Sequence, residues 1–588
     1  MLGNLLPMHS SFNLCTSINS QLRELASNLD TLGPDFDPQT RVADGRFGDF
    51  QANGALPYAK RTGQNPREVA QKLVDALPVT KDWKVELSGP GFINFTASPE
   101  LLLNWGMTHG SVHAMTDSAV AENPQVITVD FSSPNTAKQM HVGHIRSTLI
   151  GECIARMLTF RGHQVIRDNH LGDWGTQFGI LLLAIEEEGV SLDDLGTDPI
   201  ARLEDLYRLG NQKVKESEES LNRARAHLVK LQEGDPESLR SWEKIRDLSM
   251  DSFTQIYDLL GVTFDHSLGE SFYRDKVAEV YNALLSHNIC KEDNGALVVF
   301  HPEHKRFAKQ PFIIRKSDGA SNYATTDLAT LSYREKAWNS HQIIYVTDGR
   351  QRDHFEQLFL TAEKWFKAEG RQLPKLSHVW FGTILGEDNK AIKTRDGQPI
   401  KLIDLLDEAI RRAAVMVREK NPELSNEEVD RRAGIIGLGA VRYADLSQDR
   451  TLDYVFSWDK LLAMQGNTAP YLQYAVARIC SIFRKLDRKP DQAVLNPRAP
   501  ETEAEQKLAR KLLLFPIALE QATRELKPHF LCTYLYELST EFSSFYNQDK
   551  VMVEEVKTQE LRIQLCIQTL NTLKTGLSLL GIETLEEM

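Results

Sequence analysis

Asp130 to Met157, DFSSPNTAKQMHVGHIRSTLIGECIARM, is the stretch that decides the fold. It is entered through Val126, Ile127 and Val129 and begins with Phe131, a β-branched and aromatic run of the kind a buried parallel strand carries. It leaves through Ile145, Leu149, Ile150, Ile154, Met157 and Leu158, which recur at helical spacing. A strand therefore runs through a polar loop into a helix. His141-Val142-Gly143-His144 falls at the helix N-terminus, where free backbone N–H groups and the positive end of the dipole gather. Two imidazole donors one turn apart add to a place that suits a phosphate chain. Gly143, without a side chain, would let a flat ring lie against the backbone. Taken alone, the tetrapeptide fits two satisfied structural histidines as well.

Outward from this stretch, strand and helix alternate from about 122 to 400, the pattern of a Rossmann-like, doubly wound parallel sheet within a multidomain α/β protein. Further strands are expected at 164–167, 296–300, 310–315, 341–347 and 378–385. Ligands of such sheets sit at the carboxyl ends of the strands, which brings Asp348-Gly349-Arg350-Gln351 and residues 386–397 to the edge that carries the histidines. A charged helical insertion is expected at about 190–260, and its alternating charge reads as a solvated face.

Residues 1–108 read as a small α/β module, with a helix near 17–32, a loop over 44–53, a helix near 66–77 and the strands of WKVELSGPGFINFTAS. In the loop, Phe50, Gln51 and Asn53 look exposed and could stack on and hydrogen-bond a nucleic-acid base; a bland loop is the alternative. From 401 helical periodicity takes over, first as a connecting region over 401–465 and then as an all-α bundle over 466–588.

A chain of 588 residues is too long for one core. Its net charge of −13, from 68 Lys+Arg against 81 Asp+Glu, gives no global field for a polyanion, so such a partner must meet a local basic surface. The six cysteines are scattered, with no C-x-x-C pair, which predicts reduced thiols in the cytoplasm and neither a disulfide framework nor a zinc site. No run of 18 apolar residues occurs, so no membrane partner is expected. Walker, G-x-G-x-x-G and H-E-x-x-H patterns are missing as well, and no metal held by protein alone is expected.

The blocks SSPNTAKQMHVGHIRST, NHLGDWGTQFG, YATTDLA, DGRQRDHFEQLF, KTRDG and GNTAPYLQYAVARI follow one another in an order and at separations that resemble the arginyl-tRNA synthetase family of class I aminoacyl-tRNA synthetases. FGDFQAN and SGPGFINF extend the resemblance to the first module. It implies activation of L-arginine by ATP, with Mg²⁺ accompanying the nucleotide, and transfer of arginine to the end of tRNA(Arg). It further implies that His141 and His144 stabilise the ATP phosphates and that Gly143 packs on adenine. Lys393-Thr394-Arg395 stands in place of the class's lysine-rich loop, and Lys138 matches the lysine that compensates in this family. Glu270, Tyr323, Asp327 and Gln351 match arginine-binding positions, with Ser132 and Asn135 for the amino and carboxyl ends of the ligand. His170, Asp173 and Gln177 are expected to face the same pocket.

In the helical region YLQYAVARI and SSFYNQDKVMV resemble the anticodon-binding bundle, with Arg478 and Tyr546 as RNA contacts, though Tyr546 suits a core position too. The chain ends Glu586-Glu587-Met588 where many members end in Arg-Met, a departure in the terminal contacts. A monomer is expected. Two rivals remain, a class I synthetase for another amino acid and a non-catalytic tRNA-binding paralogue; intact Lys138, His141, Gly143 and His144 argue against the second.

Overall fold

The computed structural model describes residues 10–317, 322–390, 392, 400–490 and 495–588. They fall into two compact units, one combining residues up to Ala121 with Ala463–Met588, the other Glu122–Leu462.

The first unit opens with α1 (Leu14–Asn28), which buries Leu14, Ile18, Leu22 and Leu25 along one face and is capped by Asn13. Strands β1 (Thr40–Val42), β2 (Phe50–Ala52), β3 (Trp83–Ser88) and β4 (Phe92–Ala97) form an antiparallel sheet in the order β1-β2-β4-β3. Helices α2 (Ala55–Thr62), α3 (Pro66–Ala76), α4 (Pro99–His109) and α5 (Val112–Ser118) complete this portion.

The expected loop over 44–53 is corrected here. Its second half is β2, with Phe50 opposite Phe95 and Gln51 opposite Asn94. Phe50 is 0% exposed, its ring edge-on to Trp83. Gln51 can be buried because its amide donates to Asn94 Oδ1 at 2.9 Å. Asn53, with its amide turned to satisfy both ends, bonds Gln51 and Arg41. Neither Phe50 nor Gln51 presents a face on which a base could stack.

The second unit is built on a four-stranded parallel sheet of β5 (Val126–Asp130), β6 (Gln164–Asp168), β10 (Gln342–Asp348) and β11 (Lys375–Phe381), ordered β11-β10-β5-β6. Helix α6 (Val142–Phe160) crosses it, its flanks almost wholly buried. The segments expected as sheet strands at 296–300 and 310–315 do not join it. They are β8 (Ala296–Val299) and β9 (Phe312–Arg315), which with β7 (Lys291–Asp293) make a separate antiparallel sheet. The cause is Asn294-Gly295, both at positive φ, which closes a two-residue hairpin between Asp293 and Ala296.

The insertion is helical as expected: after α7 (Thr176–Glu188) come α8 (Pro199–Glu216), α9 (Glu218–Gln232) and the long α10 (Pro236–Leu260). Short α11 (Glu270–Tyr273) and α12 (Val277–Ser286) lead to β7, and α13 (Tyr323–Trp338) and α14 (Arg352–Ala368) flank β10. Paired β12 (Ile384–Leu385) and β13 (Tyr454–Val455) accompany α15 (Leu402–Lys420), α16 (Asn426–Leu446) and α17 (Trp458–Leu461). Arg146 of α6 ties this region to the sheet unit: its guanidinium lies 3.0 Å from Asp445 and donates to the Gly382 carbonyl at 2.8 Å.

The first unit is completed by α18 (Ala469–Lys485), α19 (Glu503–Leu513), α20 (Phe515–Glu525), α21 (His529–Gln548) and α22 (Val556–Leu579). Buried Glu505 closes a capping box with Thr502 and accepts from Arg498 and Arg562 at 2.9 Å. The two portions of this unit interlock, Arg510 pairing with Asp49 at 3.0 Å and Asn571 donating to the Gly110 carbonyl at 2.9 Å. Among the described residues no helix is long and apolar enough to cross a membrane.

Candidate active site

Adjacent parallel strands β5 and β6 end side by side in Asp130 and Asp168. Two buried carboxylates cannot stand together without a cation, and α13 supplies it. Arg334, 0% exposed, donates to Asp130 at 2.7 Å and to Asp168 at 2.6 and 3.0 Å. Ser133 Oγ donates to the other Asp130 oxygen at 2.9 Å, so the triad fixes the start of the loop that follows β5.

That loop holds Ser132, Ser133 and Ala137 at φ 70°, 50° and 59°. Residues with a Cβ reach this region at about 1–3 kcal/mol each, and the surroundings must hold them there. Ser132 N–H donates to Ser147 Oγ at 2.9 Å, and its hydroxyl meets Tyr257 at 2.8 Å and Thr148 at 3.1 Å. Ser133 N–H donates to Asn169 Oδ1. Asn135 pairs its backbone with Gly172 and leaves its side chain exposed, close enough that a Cβ on Gly172 would lie 1.9 Å from Asn135 Oδ1.

His141 caps α6. Its Nδ1 accepts from Gly143 N–H at 3.0 Å, while His144 Nδ1 accepts from His141 N–H at 3.0 Å. A ring nitrogen that accepts from an N–H carries no proton; His144 Nδ1 also lies 3.3 Å from the His141 carbonyl, but its shorter contact is with the N–H, which places the proton of each neutral imidazole on Nε2. Burial, then the charges of Arg350 and Lys138, lower the His141 pKa; burial and then His141 bring His144 down to about 3. Both rings are therefore neutral Nε2–H donors at pH 7. The flat ring that lies against Gly143 is the imidazole of His141, since a Cβ on Gly143 would stand 2.7 Å from His141 Cε1. The Lys138 ammonium sits 5.1 Å above the ring of Tyr207. Lys393 lies outside the described residues.

A second group is acidic. Glu270 opens α11, and among the described residues no cation faces it: burial, then Asp327, then Asp173, raise its carboxyl to about 8. Asp173 is buried and receives Ser271 N–H at 2.9 Å and Ser271 Oγ at 2.7 Å. Tyr323 and Asp327 share one face of α13, as their spacing requires. Tyr323 is 68% exposed, yet its hydroxyl feels burial and the charges of Glu270, Tyr207 and Asp327, so these groups converge. Asp327 Oδ2 accepts from His354 Nε2 at 2.6 Å.

Gln351 is exposed at the end of the turn after β10, beside the Asp348–Arg350 pair at 2.8 Å. His170 lies against Tyr273 with ring centroids 5.5 Å apart, and Gln177 donates to the Gly172 carbonyl at 3.2 Å. His354, Tyr257, Ser249 and Arg334 were not singled out by the sequence reading, although His354 stands inside the quoted DGRQRDHFEQLF block.

In the first unit, Arg478 of α18 and Tyr546 of α21 come together, the guanidinium 5.8 Å from the Tyr546 ring and 4.8 Å from Tyr474. Both are half-buried, and Tyr474 is exposed. The chain end is held by Arg484, which donates to the Glu586 carbonyl at 3.1 Å and pairs with Glu587 at 3.5 Å.

Three family models match the chain in succession: "Arginyl tRNA synthetase N terminal domain" over 13–97, "tRNA synthetases class I (R), catalytic domain" over 111–458, and "DALR anticodon binding domain" over 472–588. Arginine–tRNA ligases of Cellvibrio japonicus and Laribacter hongkongensis are each 43% identical, over 95% and 96% of this chain and 97% and 98% of their own. The crystal structure of arginyl-tRNA synthetase from Plasmodium falciparum superposes with a TM-score of 0.82 at 28% identity, covering 98% of this chain and 99% of that one. A donor pair at a helix start, a group of converging acids in the same unit and full-length likeness to these relatives lead to one assignment: the chain belongs to the arginyl-tRNA synthetase family of class I.

Proposed function

We propose that the second unit activates L-arginine with ATP and passes it to the 3′ end of tRNA(Arg). The observation that carries this reading is Glu270, a shielded carboxyl flanked by Asp327 and Asp173 with no cation facing it among the described residues. A guanidinium would supply that cation, with five donors in a planar fork that matches paired carboxylates. Tyr323 and Gln351 border the same ligand, and Ser132 and Asn135 serve its amino and carboxyl ends.

Attack of the arginine carboxylate on the α-phosphate builds charge on the phosphate oxygens and on departing pyrophosphate. Such a reaction needs positioning and charge stabilisation more than a nucleophile. The Nε2–H groups of His141 and His144 are the donors, and Lys138, with Lys393, supplies positive charge. Gly143 leaves room for the adenine beyond the His141 ring. Imidazole N–H and ammonium groups suit phosphate oxygens and repel a cation, so Mg²⁺ is assigned no protein ligand and would be held by the oxygens of ATP itself.

Residues 1–108 and 466–588 are read as tRNA-contacting and anticodon-binding modules, 122–400 as the catalytic domain and 401–465 as its helical connection. Arg478, Tyr546 and exposed Tyr474 offer stacking surfaces for an unpaired anticodon base. None of the six cysteines is in a disulfide, which supports a reducing cytoplasm, and the enzyme is read as a monomer. ATP–pyrophosphate exchange, run with each amino acid and its matching tRNA, tests the reading. Arginine alone should support exchange; support by another amino acid in its place overturns it.

A further inference from the structure

The helical insertion carries charge enough to be a solvated appendage, yet the inner face of its last helix meets the signature loop, residues 131–141 between β5 and α6. Trp242, Ser249 and Tyr257 stand seven and eight residues apart, on one side of α10, and all three are buried. Ser249 Oγ donates to its own helix at the Ile245 carbonyl and accepts from Ala137 N–H at 2.9 Å. About 12 Å further along the helix axis, the Tyr257 hydroxyl accepts from Asn169 and bonds Ser132 Oγ at 2.8 Å. Trp242 Nε1 donates to the Asp173 carbonyl at 2.7 Å, in the segment whose carboxylate holds the start of α11 and Glu270. Ser132 and Ala137 are two of the three left-handed residues of the loop. Asp198, the N-cap of α8, accepts from Gln139 at 2.9 Å, and Tyr207 within that helix carries Lys138 over its ring.

We infer that α10 is a splint for the signature loop and that Ser249 and Tyr257 are positioning residues: they hold Ala137 and Ser132 in conformations the loop would not keep alone, and so aim Lys138 at the ATP phosphates. The inference rests on the reading of Lys138 as an ATP-side group. Ala137 is its immediate neighbour in the chain, so a hydrogen bond on Ala137 N–H sets the direction in which the lysine leaves the backbone.

A double-mutant cycle in the full-length enzyme tests it, with ATP–pyrophosphate exchange in the presence of tRNA(Arg) as the readout. Ser249→Ala should lower kcat about tenfold when Lys138 is present and less than about twofold in a Lys138→Ala background, the KM for arginine staying constant throughout. A loss of the same size in both backgrounds means that Ser249 only supports the fold, and overturns the inference. If Lys138→Ala by itself leaves exchange intact, the assignment of Lys138 has failed, and the splint has no catalytic group to aim. Should Ser249→Ala not fold, the cycle is run with Tyr257→Phe, which deletes one oxygen and keeps the ring against Phe264, and is read on kcat alone because Tyr257 also holds Ser132.

Discussion

His354 holds Asp327 from the neighbouring helix, Nε2 to Oδ2 at 2.6 Å. Burial lowers the His354 pKa, but the hydrogen bond and charge of Asp327 outweigh it and the net shift is upward from 6.5. A histidine raised in this way contributes stability that is complete below 6.5 and fades as pH climbs through the folded value. His354→Gln should therefore lower the thermal midpoint most near about pH 6, with the gap to the parent narrowing toward about pH 8. A pH-independent gap would mean that the ring contributes packing against Phe312 and Phe355 and no charge.

Glu270 behaves in the opposite sense to an ordinary carboxyl. Burial, Asp327 and Asp173 raise it from 4.5 to about 8, so at neutral pH the folded protein retains a proton that the unfolded chain has released. Stability is thus lost as pH rises from 4.5 toward about 8, and Glu270→Gln should relieve the loss above that range. Arginine brings the missing cation and should expel the proton. Calorimetric titration at pH 7 in buffers of different ionisation enthalpy should report release of roughly one proton per arginine bound, abolished in Glu270→Gln. An unchanged release in that variant would place the titrating group elsewhere.

The two nitrogens of His144 have separable tasks. Nδ1 accepts from His141 N–H and shapes the first turn of α6, which leaves Nε2–H as the group proposed to meet phosphate. An asparagine oxygen can stand where Nδ1 is, whereas a glutamine amide can reach the Nε2 position. His144→Asn should keep the thermal midpoint and lose about a hundredfold in arginine activation, roughly 2.7 kcal/mol of transition-state stabilisation. His144→Gln should keep more of the activity and less of the stability. Single-turnover adenylate formation and thermal melts distinguish the two. Neither limb of the pH–rate profile between 6 and 8 should belong to this ring, whose pKa lies near 3.

The strand-loop-helix at 126–160 was legible because its signals are local: a β-branched run, a polar loop, and apolar residues at helical spacing. The spacing of Tyr323 and Asp327 was legible for the same reason. Phe50 and Gln51 were misread because the Asn94 that satisfies Gln51 stands 43 residues away, and without it a glutamine looks solvated. The strands at 296 and 312 were assigned to the wrong sheet because alternation says that a strand exists and not which neighbour it pairs with. Ser249 and Tyr257 escaped because their partners in the loop are 112 and 125 residues away, on an element whose outer face supplied all the visible charge.

The same distance hid Arg334, 166 residues from Asp168 and fully buried with it. Removing one member of a buried ionic group exposes the others to their desolvation cost, so Arg334→Met should destabilise the second unit by about 3–5 kcal/mol. Burial pushes the Asp168 carboxyl up while Arg334 pulls it down. Without the guanidinium a proton must take its place, which is easy in acid and hard in base. The destabilisation measured by urea unfolding should therefore be larger at pH 8 than at pH 5. Arg334→Lys should recover only part of it, since one ammonium cannot reproduce the Nε and Nη2 contacts that bridge Asp130 and Asp168. An Arg334→Met protein that unfolds at the parent's urea concentration at both pH values would show that the triad does not hold the ends of β5 and β6 together.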